Sequence, residues 1–177
     1  MEDIILIGSG GHAKSIIEII ESKNEFRIKG LVIEKNSQNK EILGYEALGN
    51  DKDLKDLKNN FNYAFIAIGF IKNTQRKLSI AENLYSLNFK LPKLYSNFAI
   101  VSKYAEVGDG TSIGHGAIVN SSTKIGENCI INSKALVEHD VEIGNFSHIS
   151  TGVIINGGTK IGDNCFIGSG AIIREGL

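Results

Sequence analysis

Residues 119–137, VNSSTKIGENCIINSKALV, carry a branched aliphatic residue at every sixth position. The same series runs without interruption from Val101 to Ile173. Four residues after each aliphatic position lies a mostly small residue, such as Ala117 or Thr123. A six-residue period suits neither an isolated helix nor a hairpin meander, and it predicts a parallel β-helix built from hexapeptides.

The period also predicts the geometry of this β-helix. Three hexapeptides form one triangular coil, so residues three hexapeptides apart lie one above the other at about 4.8 Å, the spacing of adjacent strands. The aliphatic and small residues point inward, and each buried Ile or Val contributes roughly 1.5–3 kcal/mol to stability. A glycine often follows the aliphatic residue, as in IGEN at 125–128 and IGDN at 161–164. Glycines are expected to fit the tight corners of the coils, because they tolerate positive φ.

The first half of the chain has the pattern of a small α/β unit. Residues 3–22, DIILIGSGGHAKSIIEIIES, predict a buried strand, a glycine turn and an amphipathic helix. GLVIE at 30–34 and YAFIAIG at 63–69 predict two further buried strands, and residues 73–88 predict another helix. This alternation favours a parallel sheet with crossover helices, which is a Rossmann-like arrangement.

The composition of the whole chain is ordinary for a globular protein. With 177 residues, 42% of them hydrophobic, and a net charge of −1, neither a nucleic-acid nor a membrane partner is expected. The start of the chain lacks a basic signal region, and no apolar run reaches the roughly 18 residues of a membrane span, so a cytoplasmic location is predicted.

Cys129 and Cys165 have no metal-binding spacing, and no metal is expected. Since Pro92 falls between the two patterns, we predict domains at residues 1–95 and 96–177.

The glycine turn GSGGHAK at 8–14 has three interpretations. Gly8, Gly10 and Ala13 fit the dinucleotide pattern G-x-G-x-x-G/A, and Glu34 follows the next strand, where a ribose-binding acid stands in NAD-binding proteins. The broader interpretation is a helix N-terminus that binds a phosphate or a nucleotide sugar. The third is a turn with glycines for packing alone. The residues by themselves leave all three open.

Three motifs together resemble one family. GSGGHAK, FIAIG at 65–69 followed by Arg76, and EHDVEIGNFSHIS at 138–150 are similar to motifs of the sialic-acid O-acetyltransferase and PglD-like sugar acyltransferases, and the similarity spans essentially the whole chain. The resemblance implies a left-handed β-helix acyltransferase domain and an N-terminal sugar-substrate-binding domain. It also implies a homotrimer with active sites between neighbouring β-helices, and transfer of an acetyl group from acetyl-CoA to a sugar amine or hydroxyl.

The resemblance also implies roles for individual residues. His139 is the expected general base, oriented by Asp140, although Glu138 is an alternative acidic partner. The implied acetyl-CoA contacts are His148, Asn132 and Gly157, the last by an oxyanion-type contact one coil above His139. The implied substrate-binding residues are Gly10, Gly11, His12, Glu34, Lys35 and Gly69.

The expected function is N-acetylation of a nucleotide-linked amino sugar for surface glycan synthesis. The alternatives are O-acetylation of sialic acid, a non-catalytic trimeric β-helix scaffold, and an NAD-binding protein. Lys35 stands where relatives that use UDP-linked sugars carry a second acid, so the nucleotide stays open. The family continues through further coils beyond the position of GAIIREGL at 170–177, so we expect a short C-terminal region with part of the CoA pocket absent.

Overall fold

The computed structural model describes residues 1–70 and 74–177. These residues form two compact units. The first comprises residues 1–69 and 75–92, and the second comprises Phe70, Thr74 and residues 93–177. The chain passes from the first unit to the second between Pro92 and Lys93, and the predicted boundary after residue 95 stays a prediction.

The first unit is a five-stranded sheet in the order β3-β4-β2-β1-β5. All neighbouring strands are parallel except the β3–β4 pair, which is antiparallel. The strands are β1 Glu2–Ile7, β2 Phe26–Ile33, β3 Glu41–Ile42, β4 Tyr45–Asn50 and β5 Tyr63–Ile66. The helical segments are α1 Gly11–Glu21, a 3₁₀ turn at Asp51–Asp53, α2 Leu54–Leu57 and α3 Gln75–Ser86.

Burial explains why these segments form these elements. Residues 4–7 of β1 have no exposed surface, as expected for a strand covered on both faces. The isoleucines of α1 at positions 16, 17, 19 and 20 are buried, which is the apolar stripe of an amphipathic helix. Gly8 joins β1 to α1 at φ +123°, and a Cβ there would lie 2.8 Å from a side-chain carbon of Ile68. Only glycine therefore fits this turn.

The second unit is a parallel β-helix of two-residue strands arranged in three sheets. We name each sheet by its first strand. The β7 sheet contains Ile100–Val101 (β7), Ile118–Val119 (β10), Leu136–Val137 (β13), Ile154–Ile155 (β16) and Ile172–Ile173 (β19). The β8 sheet contains Glu106–Val107 (β8), Lys124–Ile125 (β11), Glu142–Ile143 (β14) and Lys160–Ile161 (β17). The β6 sheet contains Leu94–Tyr95 (β6), Ser112–Ile113 (β9), Ile130–Ile131 (β12), His148–Ile149 (β15) and Phe166–Ile167 (β18).

The register follows the predicted period. Val119 pairs with Val137, and Val137 pairs with Ile155, so that residues three hexapeptides apart stack directly. Every aliphatic residue of the series from Val107 to Ile155 is buried. The predicted fold, a Rossmann-like α/β unit followed by a hexapeptide β-helix, is confirmed.

The small buried residues of the repeat satisfy their polar atoms across the stack. The Thr111 hydroxyl donates to the Gly126 carbonyl at 2.8 Å, and the Ser147 hydroxyl donates to the Gly162 carbonyl at 2.8 Å. The Cys129 thiol is 3.1 Å from the Gly144 carbonyl, and both cysteines of the chain are free. A buried hydroxyl or thiol is therefore tolerated, since each one has a carbonyl partner.

The glycines of the repeat serve two purposes, and those that follow the aliphatic residues do not occupy the left-handed positions. The left-handed corner residue lies two positions later, for example Gly110, Asn128 and Asp140, at φ between 55° and 68°. The glycine itself is required by the neighbouring coil, because a Cβ on Gly144 would lie 2.5 Å from the backbone nitrogen of Asp163. Glycines such as Gly110 therefore occupy corners at positive φ, as expected, whereas close coil stacking is the physical reason for the glycines that follow the aliphatic residues.

No helix in the described ranges has the length and apolar character needed to cross a bilayer, and the longest of them, α3, has 12 residues.

Gly144→Ala tests the stacking constraint. The added methyl group meets backbone and carboxylate atoms of the next coil, so we expect the free energy of unfolding to fall by about 1–3 kcal/mol, as for other overpacked sites. The matched control is Gly162→Ala, at the equivalent repeat position, where the nearest atom to the new Cβ is the Cys165 sulfur at 3.9 Å. Urea denaturation measures both variants, and equal midpoints would contradict the stacking explanation.

Candidate active site

His139 lies at a corner of the β-helix, two residues after β13, with 65% of its side chain exposed. The next residue, Asp140, has a left-handed backbone with φ 61°, and its N–H donates to the Ser121 carbonyl at 3.1 Å. The carboxylate of Asp140 lies beside the preceding ring, with 2.7 Å between His139 Nδ1 and Asp140 Oδ2. The corner thus pairs an imidazole with a carboxylate of the adjacent residue.

This pair defines the tautomer of the neutral imidazole. An ionised carboxylate only accepts hydrogen bonds, so Nδ1 of His139 carries the proton that Asp140 accepts. Nε2 then holds a free lone pair and is able to accept a proton from a substrate. Because both side chains are largely exposed, the pair adds little to folding stability, and its main effect is to orient the ring.

Glu138, the alternative acidic partner, is engaged elsewhere. Its Oε2 accepts a hydrogen bond of 2.8 Å from the side-chain amide of Asn120, one coil below. Its backbone carbonyl accepts from the Thr123 hydroxyl at 2.9 Å. Of the two acids that flank His139 in sequence, Asp140 is therefore the one beside the imidazole ring.

Gly157 lies in the coil next to His139. A Cβ at Gly157 would be 2.7 Å from Cε1 and 2.9 Å from Nε2 of His139, so the ring occupies the space that a side chain at this position would fill. The backbones are also joined, since the Gly158 N–H donates to the His139 carbonyl at 3.0 Å. Three of the predicted residues, His139, Asp140 and Gly157, are therefore brought together at one corner.

His148, in β15, and Asn132, directly after β12, form a second group at the β6 sheet. Nδ1 of His148 donates to the Phe70 carbonyl at 2.8 Å, and its Nε2 is 3.4 Å from the side-chain nitrogen of Asn132. The rings of Phe70 and Phe166 contact the imidazole edge to face, with centroid distances of 5.6 and 5.2 Å. Only 7% of His148 is exposed. Within one chain, these two predicted acetyl-CoA contacts lie on a different sheet from β13, which leads to His139.

The first unit contains a cavity of about 310 Å³ beside the β1–α1 turn. Two predicted substrate-binding residues, Gly10 and Glu34, line it. Its lining residues are Gly8, Ser9, Gly10, Glu34, Ser37, Asn39, Ile68 and Arg76. No atom lies within 4 Å of a Cβ built on Gly10 or Gly11, so the start of α1 is open to a ligand. The N-terminus of a helix favours an anion there.

Glu34 is held by a residue that the site prediction omitted. Its carboxylate forms an ion pair with the guanidinium of Arg76, which also lies 3.7 Å from Asp51 Oδ2. Burial lowers the pKa of Arg76 and raises the pKa of Asp51 from their usual values. Arg76 was visible in the sequence only as part of the family motif after FIAIG, since its partner Glu34 is distant along the chain.

The remaining predicted residues lie around this cavity. Gly69 packs against the start of α1, because its Cβ would lie 3.3 Å from the Cβ of His12. Lys35 is exposed and lines a neighbouring cavity of about 250 Å³ together with Lys40 and Asn50. Both cavities include Glu34 and Ser37 in their linings. Lys35 is therefore next to the cavity at Gly10 rather than in its wall.

Asp140→Asn tests the imidazole pair directly. Asparagine also tolerates a left-handed backbone, so the corner is preserved while the charge that holds the Nδ1 proton is lost. We expect ¹⁵N NMR of the neutral His139 ring to show protonated Nδ1 in the parent protein and a tautomer mixture in the variant. Glu138→Gln is the control and leaves the His139 signals unchanged. A shift with Glu138→Gln but not with Asp140→Asn would assign the partner to Glu138.

Two family models match this architecture. Residues 3–84 match the PglD N-terminal domain, and residues 104–139 and 140–175 each match the bacterial transferase hexapeptide of six repeats. The first match lies within the α/β unit and its helices, and the second lies within the β-helix. The first unit therefore matches a PglD N-terminal domain and the second matches a bacterial transferase hexapeptide repeat, which agrees with the resemblance that the motifs indicated.

Solved structures share the fold along the whole chain. Perosamine N-acetyltransferase from Caulobacter crescentus, solved with CoA and GDP-perosamine, is 23% identical, with a TM-score of 0.83 over 100% of this chain and 90% of that one. The acetyltransferase domain of PglB from Neisseria gonorrhoeae is 24% identical, with a TM-score of 0.80 over 100% of this chain and 95% of that one. No protein with curated annotation matches this chain. At these identities the similarity of structure establishes the fold.

Proposed function

We propose that this protein is an acetyl-CoA-dependent acetyltransferase that N-acetylates a nucleotide-linked amino sugar for surface glycan synthesis. The observation that carries the proposal is the His139–Asp140 pair, 2.7 Å apart at an exposed corner beside Gly157. The shared fold of a perosamine N-acetyltransferase, and of a PglB domain solved with acetyl-CoA, supports it. We assign the reaction to the cytoplasm because its acyl donor is an intracellular metabolite.

The geometry of the corner suits acyl transfer to an amine. The acyl donor supplies an acetyl thioester. Nε2 of His139 accepts a proton as the sugar nitrogen forms its bond to the thioester carbon, and the CoA thiolate leaves and is protonated. Asp140 keeps the lone pair of Nε2 directed outward and stabilises the imidazolium that forms. The backbone N–H of Gly157, in the coil next to His139, is the proposed donor to the negative carbonyl oxygen.

The nucleotide part of the substrate fits the cavity of the first unit. The open start of α1 at Gly10 and Gly11 suits a diphosphate, since backbone N–H groups and the helix dipole both favour an anion. Glu34, after β2, stands where a carboxylate accepts hydrogen bonds from ribose hydroxyls in this type of fold. His12, Lys35 and Gly69 surround this part of the site. The GDP-perosamine bound by the Caulobacter enzyme supports a nucleotide-linked amino sugar.

A homotrimer is proposed from the outer face of the β7 sheet. The first residue of every strand in this sheet points outward and is aliphatic, whereas the corresponding residues of the β8 sheet are all charged. The aliphatic residues are Ile100, Ile118, Leu136, Ile154 and Ile172. Ile100 and Ile172 are 64% and 69% exposed, which is unusual for a solvated face. Packing against another copy of the chain would cover this stripe.

The aliphatic stripe lies next to the His139 corner, so a second copy of the chain packed on the stripe would contribute to the proposed active site. Leu136 precedes His139 by three residues, so the catalytic corner lies at the edge of the stripe. The predicted acetyl-CoA contacts His148 and Asn132 lie on the β6 sheet. An acyl donor held between two copies would reach His139 from one β-helix and the β6 sheet from its neighbour, which supports the trimer implied by the family resemblance.

His139→Ala is the direct test of the proposed function. We expect the rate of acetyl transfer to fall by at least about 100-fold, because a positioned general base contributes about 10²–10⁴-fold. Mass spectrometry detects the product after incubation with acetyl-CoA and nucleotide-linked amino sugars such as GDP-perosamine. His115→Gln, at another corner, is the control. Unchanged transfer by His139→Ala contradicts the catalytic role, and O-acetylation of sialic acid by the parent protein would favour that alternative.

Leu136→Glu tests the trimer. A carboxylate in the middle of the aliphatic stripe must be buried without a partner when the copies associate, which costs several kcal/mol. We expect the trimer to dissociate at micromolar concentration in analytical ultracentrifugation. Lys124→Gln, the equivalent strand position on the β8 sheet, is the matched control and keeps the trimer. A parent protein that sediments as a monomer would rule out the proposed assembly.

A further inference from the structure

Arg76 bridges two acids of the first unit. It lies in the first turn of α3, where its guanidinium pairs with Glu34, which follows β2, and approaches Asp51, which follows β4. Because β2 and β4 are neighbouring parallel strands, the two acids stand at the same edge of the sheet. One guanidinium therefore joins the ends of two adjacent strands at the wall of the 310 Å³ cavity.

The bridge determines the charge of the cavity wall. Of the eight lining residues given above, only Glu34 and Arg76 are ionised at neutral pH, and they cancel. Without the guanidinium, the Glu34 carboxylate would face the start of α1, where an anion is expected. Two negative charges in the same cavity repel each other. Arg76 is thus the group that makes an acid at position 34 compatible with an anionic ligand.

The guanidinium is also constrained in orientation. Its side chain is 38% exposed, and in the described part of the chain Nε of Arg76 and Oδ1 of Asp51 are buried and make no hydrogen bond. Burial lowers the pKa of Arg76, but a guanidinium stays protonated at neutral pH. Its planar fork contacts both carboxylates from one position, which a lysine ammonium on a flexible stem does not reproduce.

We propose that Arg76 is a positioning residue for nucleoside diphosphate binding. By bridging Glu34 and Asp51, it holds one oxygen of Glu34 ready to accept from the ribose hydroxyls and neutralises the carboxylate beside the diphosphate. This inference rests on the proposed nucleotide-sugar substrate. The ligand class is a nucleoside diphosphate, because the cavity combines an anion-binding helix start with a carboxylate acceptor.

Calorimetric titration of the full chain tests the inference. The ligands are GDP and UDP, together with guanosine and uridine, which carry no phosphate. We expect Arg76→Met to weaken binding of the preferred diphosphate at least tenfold and to weaken binding of its nucleoside less. Adding Glu34→Gln to Arg76→Met removes the uncompensated charge and restores part of the diphosphate affinity. Arg76→Lys keeps the charge without the planar fork, so its diphosphate affinity is expected to lie between those of the parent protein and Arg76→Met. If Arg76→Met does not fold, Arg76→Lys replaces it in the test.

Arg27→Met is the matched control. Arg27 forms the other arginine–carboxylate pair of this sheet, with 2.7 Å between its Nε and Asp3 Oδ1, near the starts of β1 and β2. Because this pair lies at the opposite ends of the strands from the cavity, the variant keeps the parent affinity for all four ligands.

Four outcomes would overturn the inference. Diphosphate affinity unchanged in Arg76→Met, or an equal loss for diphosphate and nucleoside, removes the proposed role while the nucleotide-sugar substrate stands. A double variant no better than Arg76→Met indicates direct phosphate contact instead of charge neutralisation. If the parent protein binds neither GDP nor UDP, the inference fails together with the nucleotide part of the proposed function. Acetyl transfer to free sugars would then still distinguish the enzyme from a scaffold.

Discussion

The stacking of branched aliphatic side chains along the β-helix is the constraint on which the rest of the second unit depends. Each of these residues lies directly against its counterpart in the next coil, as Val119, Val137 and Ile155 do. This contact sets the register, and the register places a left-handed corner residue at every sixth position from Gly110 to Gly176 and a glycine where coils approach as closely as at Gly144. The His139 corner is one regular corner of this series, in which the left-handed residue is an aspartate.

The proposed chemistry therefore uses positions that the scaffold already provides. Asp140 takes the backbone conformation that Asn128 takes in an earlier corner, and its side chain is close enough to reach the preceding ring. Gly157 gives the imidazole space in a coil where any side chain would displace it. In the first unit, the N-terminus of α1 and the ends of the parallel strands form the cavity in the same way. Arg76 supplies the positive charge that pairs there with Glu34 and also approaches Asp51.

The prediction from sequence was strongest where the structure repeats. The six-residue period predicted the buried series and the pairing of residues three hexapeptides apart, and a hexapeptide family model matches the same part of the chain. Prediction from sequence was weaker for the contacts of side chains that have more than one possible partner. Lys35 lines a neighbouring cavity, and His148 has both ring nitrogens against protein atoms. The predicted roles of these two residues stay predictions.

The sequence by itself determined the β-helix, its core and the position of the histidine corner, because a period of six leaves a single face of each strand for burial. Only the tertiary structure decided that Asp140 and not Glu138 pairs with His139, since Asn120 from the coil below engages Glu138. It also decided that Arg76 holds Glu34. Such pairs depend on backbone torsions and on residues distant along the chain, and no local pattern in the sequence encodes either.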